Sequence, residues 1–383
     1  LIEYELALDD VLMARYLFGS LLLLLIFSLM LVNKIKFYFS RTALCLWAAI
    51  YATLVLNWFT LDDHNYWLFI FSKLNFLFSF NLLGVSMLRK YSIKALFLKS
   101  ILVTLIFIEV KVLFEMSTLQ IESFNDVFQI NGGFGHKNIL SIVLFVLSIG
   151  TISLWNGIVK KWMKYSFITI HALSFSLLVI LQTRSVWLII GVIICSLLLF
   201  KRAVVKSHYK AIATCLCVSI LFLGSFFFVT PNFFNSTKSK LDLSSDLAYK
   251  SVHERMFLWS NTIELIKDHW LTGVGVGNWK SSFISYGVSG TRAGEGMTNF
   301  IRPHNDFLWL LSELGIIGGV VFIVILVFVF RNFLSVYKTN FLIAFIPISI
   351  LLFSNFSFPV ERPFIMILFV VGLLLIGSSY NRI

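Results

Sequence analysis

Charge is what this chain has least of. Only 13% of its 383 residues are Asp, Glu, Lys or Arg, where a soluble domain carries about 25%. Acidic residues are the scarcer sign, 19 against 31 Lys and Arg. Cysteine is almost missing. Cys45, Cys195, Cys215 and Cys217 all fall inside apolar runs with no CxxC pair, which argues against a zinc site and a disulfide framework. There is no P-loop, no G-x-S-x-G elbow and no H-E-x-x-H, so the signatures of phosphate-loop, α/β-hydrolase and zinc-protease chemistry are absent. No repeat of fixed period and no low-complexity linker divides the chain. A removable signal peptide is also lacking: the chain opens on Leu1 with Glu3, Glu5, Asp9 and Asp10. That opening suggests that residues, including one further span, precede it.

What the chain has is apolar length. It is 58% hydrophobic with a mean hydropathy of +0.90, and its repeated apolar runs of about 17–24 residues specify a multi-span α-helical membrane protein. About eleven spans are expected, at 16–32, 42–60, 66–88, 95–114, 138–159, 166–182, 186–200, 211–229, 307–330, 341–357 and 364–380. Basic residues crowd every second loop: Lys34/Lys36/Arg41, Arg89/Lys90/Lys94, Lys160/Lys161/Lys164, Lys201/Arg202/Lys206/Lys210 and Arg331/Lys338. The positive-inside rule makes those loops cytoplasmic. The net charge of +12 is thereby a topology signal among membrane lipids, not the footprint of a nucleic-acid partner. Loops 61–65, 115–137, 183–185, 230–306 and 358–363 then face outward. The expected fold is one all-α membrane helix bundle, 1–383, with a single large external loop, 230–306.

That loop is too long to be wholly irregular. Ser244/Ser245 can cap a helix over about 246–270, in which Ala248, Val252, Met256, Trp259, Ile263, Ile266 and Trp270 form one apolar stripe. Such a helix can lie on the membrane surface and roof the bundle. Gly273, Gly275 and Gly277 end it as a structural turn, since the spacing and context of a dinucleotide fingerprint are missing.

The residues that can carry chemistry lie on the outward side. His304 stands where the external loop enters an apolar helix, with Arg302, Asn305 and Asp306 beside it and Trp309 a turn further on. A neutral imidazole there can take a proton from a hydroxyl, or it can simply anchor the helix end. Asn305 or Asp306 can orient the ring, and either can equally be the N-cap. Gly315 and Gly318 allow a second helix to pack close. Arg184 sits between two apolar runs with almost no loop to solvate it, so it snorkels, pairs or lines a polar cavity, and function is the default reading at such a position. Its fork geometry suits phosphate oxygens. Arg255, one turn before Trp259, is the second phosphate candidate; an exposed contact with headgroups is the alternative. Gly132, Gly133 and Gly135 with His136, Lys137 and Asn138 open the fifth span. They allow close backbone approach to a ligand, with Lys137 binding an anion, or form a capped turn. Asp62 and Asp63 with His64 lack a third carboxylate and read as solvated loop charges. Lys73, Lys99 and Lys111 are accounted for by snorkelling or helix pairing. No metal site and no cofactor is expected.

The pattern His304-Asn305, the nine residues Asp306–Leu314, Gly315, Ile316-Ile317 and Gly318 resembles the hallmark of the O-antigen ligase and polymerase superfamily. Gly133–Asn138, Arg184 before its span, and the Arg255–Trp259 helix leading into Gly273–Gly277 also look like that family. The resemblance covers about 130–330. It implies a bundle of about twelve spans, GT-C-like, in the bacterial inner membrane with 230–306 in the periplasm. It implies metal-independent transfer of a glycan from undecaprenyl diphosphate, with His304 as catalytic base and Arg184 and Arg255 holding the diphosphate. Arg302, Asn305, His136 and Lys137 are possible supporting residues, and the roles of His136 and Lys137 are unassigned. The acceptor divides the family: lipid A–core for a ligase, a second lipid-linked glycan for a polymerase, a protein for an O-oligosaccharyltransferase. A complete hallmark and the absence of a further soluble domain lean toward the ligase. A lipid-linked sugar transporter would spread its charges through several mid-membrane helices and repeat its spans, which this chain does not.

Overall fold

The computed structural model describes residues 19–34, 38, 41–59, 64–90, 94–119, 121–123, 125–234, 236, 246–287 and 302–380. The expected cap Ser244/Ser245 and the pair Asp62–Asp63 lie outside the described residues. All regular structure among the described residues is helical: α1 (Gly19–Val32), α2 (Arg41–Trp58), α3 (His64–Lys90), α4 (Lys94–Thr118), α5 (Lys137–Ile152), α6 (Lys161–Leu181), α7 (Arg184–Phe200), α8 (Arg202–Ser207), α9 (Tyr209–Val229), α10 (Asp246–Asp268), α11 (Trp279–Phe283), α12 (Asp306–Phe353) and α13 (Pro363–Tyr380). Helices are the expected outcome for apolar segments in lipid, where every backbone group needs a partner within its own segment.

Among the described residues, four stretches are long and apolar enough to cross a bilayer: Ile70–Met87, Lys161–Leu181, Tyr209–Val229 and Asp306–Tyr337. Shorter apolar helices accompany them, and the chain is a multi-pass membrane protein. The fifth helix ends at Ile152 where a span to 159 was expected, and the largest difference lies in α12. The segment 331–340, expected as a loop between two spans, is helical, and α12 runs on through Arg331 and Lys338 to Phe353. Its residues include no glycine or proline, so nothing in it breaks a helix.

The chain divides into two units. The first comprises Leu1–Ile93, Ser251–Thr339 and Ser354–Ile383. In it α1, α3 and α13 share a core of Leu23, Met30, Phe76, Leu77, Leu83, Val370 and Leu374, and Gly84 lets the Leu374 side chain approach the α3 backbone. Trp67 of α3 donates its indole N–H to the Leu54 carbonyl of α2 at 2.8 Å. A separate core of Leu258, Leu265, Trp279, Phe283 and Trp309 joins α10, α11 and the start of α12.

The second unit comprises Lys94–Lys250 and Asn340–Phe353. α5 is its centre: every residue from Ile139 to Leu147 is buried, as an all-round apolar helix requires. α4 and α6 pack on it, and α9 packs on α6. Small hydroxyls close the last contact, Ser219 Oγ donating to the Ala172 carbonyl at 3.1 Å.

The helix expected over 246–270 forms as α10, but only part of the expected stripe is packed: Trp259 lies against the core of α11 and α12, and other stripe residues do not. Leu258, Thr262 and Leu265 are buried, while Met256, Ile263 and Trp270 are 58%, 41% and 58% exposed. Two apolar lines run along this helix. The one that meets Trp279, Phe283 and Trp309 wins the core, and aromatic partners of that size decide which line is covered.

Candidate active site

The glycine turn after α10 and the kink in α12 are one structure. Gly315 has φ +58 inside α12, so the helix ladder opens there. Ile316 N donates to the Trp270 carbonyl at 2.9 Å. The Ser312 carbonyl, which a regular helix would give to Ile316, accepts from Val274 N at 2.9 Å, and the Glu313 carbonyl accepts from Gly275 N at 2.9 Å. An added Cβ on Gly315 would lie 2.6 Å from Gly273 N, and one on Gly273 would overlap the Glu313 carbonyl. The glycine of the His-Asn-x9-Gly pattern therefore admits a backbone turn, where the sequence suggested a second helix. The atoms nearest an added Cβ on Gly318 belong to Leu310 and Leu314 of its own helix. Glu313 completes the join: its Oε1 accepts from the Trp309 indole at 2.7 Å and from Trp279 N at 3.4 Å.

Immediately before α12, His304 stands in the left-handed region at φ +54, a conformation that costs a non-glycine residue about 1–3 kcal/mol and persists only where surroundings enforce it. Those surroundings are visible on both sides of it. Pro303 offers its carbonyl to the Trp259 indole of α10 at 2.9 Å. Asn305 is the N-cap of α12, its Oδ1 accepting from Phe307 N at 3.0 Å and Leu308 N at 3.1 Å. Asp306 N donates to the Ser354 carbonyl at 2.9 Å, and Asp306 Oδ2 accepts from Val360 N at 3.1 Å. Two residues upstream, Arg302 forms a buried ion pair with Glu361. The Phe358 ring is the common surface. His304 lies 5.2 Å from it centroid to centroid, and the guanidiniums of Arg302 and Arg362 lie 5.4 Å and 5.1 Å from it. Arg302 also stacks 5.6 Å from the Trp309 ring. His304 itself is half-buried, and its ring packs on Phe358.

Beneath the loop is a set of charges that sequence reasoning assigned elsewhere. Lys73 of α3 is buried, and Glu361, Asp306, Arg302 and Glu313 all act on its ammonium. Glu361 was not singled out from sequence, and Lys73 read as a snorkelling or helix-paired residue. The signal for Glu361 was present: an acidic residue in a short loop between apolar runs has the same claim to function as Arg184.

His304, Arg302 and Asn305 are thus brought together. Asn305 spends its side-chain oxygen on the cap of α12. Arg255 is half-buried on α10, one turn before the Trp259 that touches the loop. Outside the membrane-spanning helices, Tyr286 donates to Asp268 at 2.6 Å. That bond lifts the phenol to about 12 and closes the segment carrying α11 against the end of α10.

Arg184, His136 and Lys137 belong to the second unit. Arg184 is exposed as the first residue of α7. His136 caps α5, its Nδ1 accepting from Asn138 N at 3.0 Å, which places its ring proton on Nε2. Lys137 is 3% exposed, so its ammonium is not open to an anion from solution.

Residues 169–323 match the family model described as O-antigen ligase. That span contains Arg184, Arg255 and His304, and the match supports the O-antigen ligase and polymerase superfamily. No curated protein matches the chain.

Proposed function

We propose, taking that superfamily as the premise, that this chain is a glycosyltransferase. It transfers a glycan from undecaprenyl diphosphate to a hydroxyl of a lipid A–core acceptor at the periplasmic face of the inner membrane. His304 takes the proton of the acceptor hydroxyl. The oxygen attacks the anomeric carbon as the bond from that carbon to the diphosphate oxygen breaks, and one displacement inverts the anomeric configuration. Arg255 and Arg184 carry fixed charge to the departing diphosphate. Arg302 holds the histidine loop through Glu361, and Asn305 fixes where α12 begins.

The observation that carries this reading is the left-handed His304, enforced from both sides by Trp259 on Pro303 and by the Asn305 cap and Asp306 contacts. A histidine that merely anchored a helix end would need none of that strain. A base in displacement chemistry gains from it, because fixed orientation removes an entropic cost from the transition state.

The test mixes purified full-length protein with undecaprenyl diphosphate-linked glycan and lipid A–core, with no nucleotide. Glycan-bearing lipid A–core is the expected product. Lengthening of the lipid-linked glycan with the core untouched would make the protein a polymerase, and transfer to neither acceptor would contradict the proposed reaction.

A further inference from the structure

The element at 133–138 was left without a role, and the second unit gives it one. We propose that Lys137, Asn138 and Ser141 form a clasp that positions Arg184. Through it they serve as positioning residues for the diphosphate of the lipid-linked donor; this rests on the assignment of Arg184 to that diphosphate.

α6 and α7 meet in a two-residue corner, Gln182–Thr183. Gln182 is left-handed at φ 49, a place where glycine is usual and any other side chain is strained. Leu181, the last residue of α6, offers a carbonyl that the helix itself cannot satisfy. Lys137 supplies the partner, its Nζ donating to the Leu181 carbonyl at 3.0 Å, where a cation also meets the negative end of α6. The Phe128 ring lies 4.2 Å from the same ammonium. Thr183 is held next: its hydroxyl lies 2.7 Å from Ser141 Oγ and 3.2 Å from Asn138 Oδ1. Thr183 and Ser141 are 4% and 0% exposed.

The clasp is itself anchored. His136 caps α5 through Asn138 N, and Glu115 of α4 accepts from Asn131 N at 3.0 Å and Gly132 N at 2.9 Å. Every polar group of the motif that meets the corner is thereby turned inward onto Leu181 and Thr183. The next residue, Arg184, is the one left exposed, on the first turn of a helix whose N-cap is fixed by others. A guanidinium launched from a fixed backbone loses less entropy on binding a phosphate than one on a free loop. The buried cation of the motif thus acts on the lipid diphosphate only through the exposed one.

The experiment compares Lys137→Met, Lys137→Arg and Thr183→Val with Arg184→Ala and with the Lys137→Met/Arg184→Ala double variant. Donor and acceptor KM, kcat and binding of undecaprenyl diphosphate alone are measured for each. Lys137→Met is expected to raise donor KM and weaken undecaprenyl diphosphate binding about tenfold with acceptor KM unchanged. Lys137→Arg is expected to recover most of that, and the double variant to be no worse than Arg184→Ala. Thr183→Val, nearly isosteric, is expected to follow Lys137→Met in direction and keeps the test open if Lys137→Met does not fold. Losses that add to those of Arg184→Ala, or that fall equally on acceptor KM, would overturn the clasp. Wild type that binds undecaprenyl diphosphate in an Arg184-dependent way but transfers nothing would contradict the proposed reaction and leave the clasp standing.

Discussion

Gly315→Ala isolates the join between α12 and the glycine turn. An alanine at φ +58 pays about 1–2 kcal/mol for the left-handed conformation. Its Cβ would also sit 2.6 Å from Gly273 N, backbone that cannot swing aside as a side chain can, and such overpacking costs about 1–3 kcal/mol. The expected loss is about 2–5 kcal/mol. At about 2 °C per kcal/mol for a chain of this size, that is a fall of about 4–10 °C in the unfolding midpoint of the detergent-solubilised protein, followed by tryptophan fluorescence. Gly377→Ala is the control. It lies in α13 with nothing among the described residues within 4 Å of an added Cβ, so it is expected to gain about 0.5–1 kcal/mol from helix propensity. Equal midpoints for Gly315→Ala and wild type would refute the claim that the turn and the open helix are one unit.

Other consequences follow from the same contacts. Glu361→Gln leaves Arg302 without its buried partner and is expected to cost about 3–5 kcal/mol; the double variant with Arg302→Met is expected to cost less than the two singles together, measured by the same unfolding midpoints. Trp259→Phe removes one hydrogen bond to Pro303, worth about 1 kcal/mol, and is expected to lower kcat while leaving donor KM in place, because it frees the backbone beside His304 without touching substrate. Tyr286 titrates at about 12 instead of 10.0, so its bond to Asp268 is fully formed below about pH 10 and is lost as pH rises through about 12. An absorbance titration of wild type minus Tyr286→Phe is expected to show a single phenol near 12, moving toward 10 in Asp268→Asn.

Several of these contacts were legible in the sequence and others were not, for physical reasons. The polar-to-apolar junction at His304, the helix α10 and the Gly273–Gly277 turn all show in local composition, because each is specified by neighbours in the chain. Helix α10 was legible as a helix, yet its buried face was not: Met256–Ile263–Trp270 and Leu258–Leu265 are both apolar lines, and only the position of Trp309 and Trp279 chooses between them. Gly315 signalled a close approach, but not whether helix or turn approaches it. Glu361 and Phe358 were overlooked because their partners, Arg302 and His304, lie a whole span away in sequence. Lys137 looked like an anion ligand because sequence gives residue type without direction, and the structure turns its ammonium onto a carbonyl.

The central claim is that His304 accepts a proton from the hydroxyl that attacks the donor. It is tested most directly by single-turnover transfer from undecaprenyl diphosphate-linked glycan, comparing wild type with His304→Ala at matched saturation of donor and acceptor. Loss of a general base is expected to slow the transfer step about 10²–10⁴-fold with donor binding retained. Transfer by His304→Ala at the wild-type rate would contradict the account.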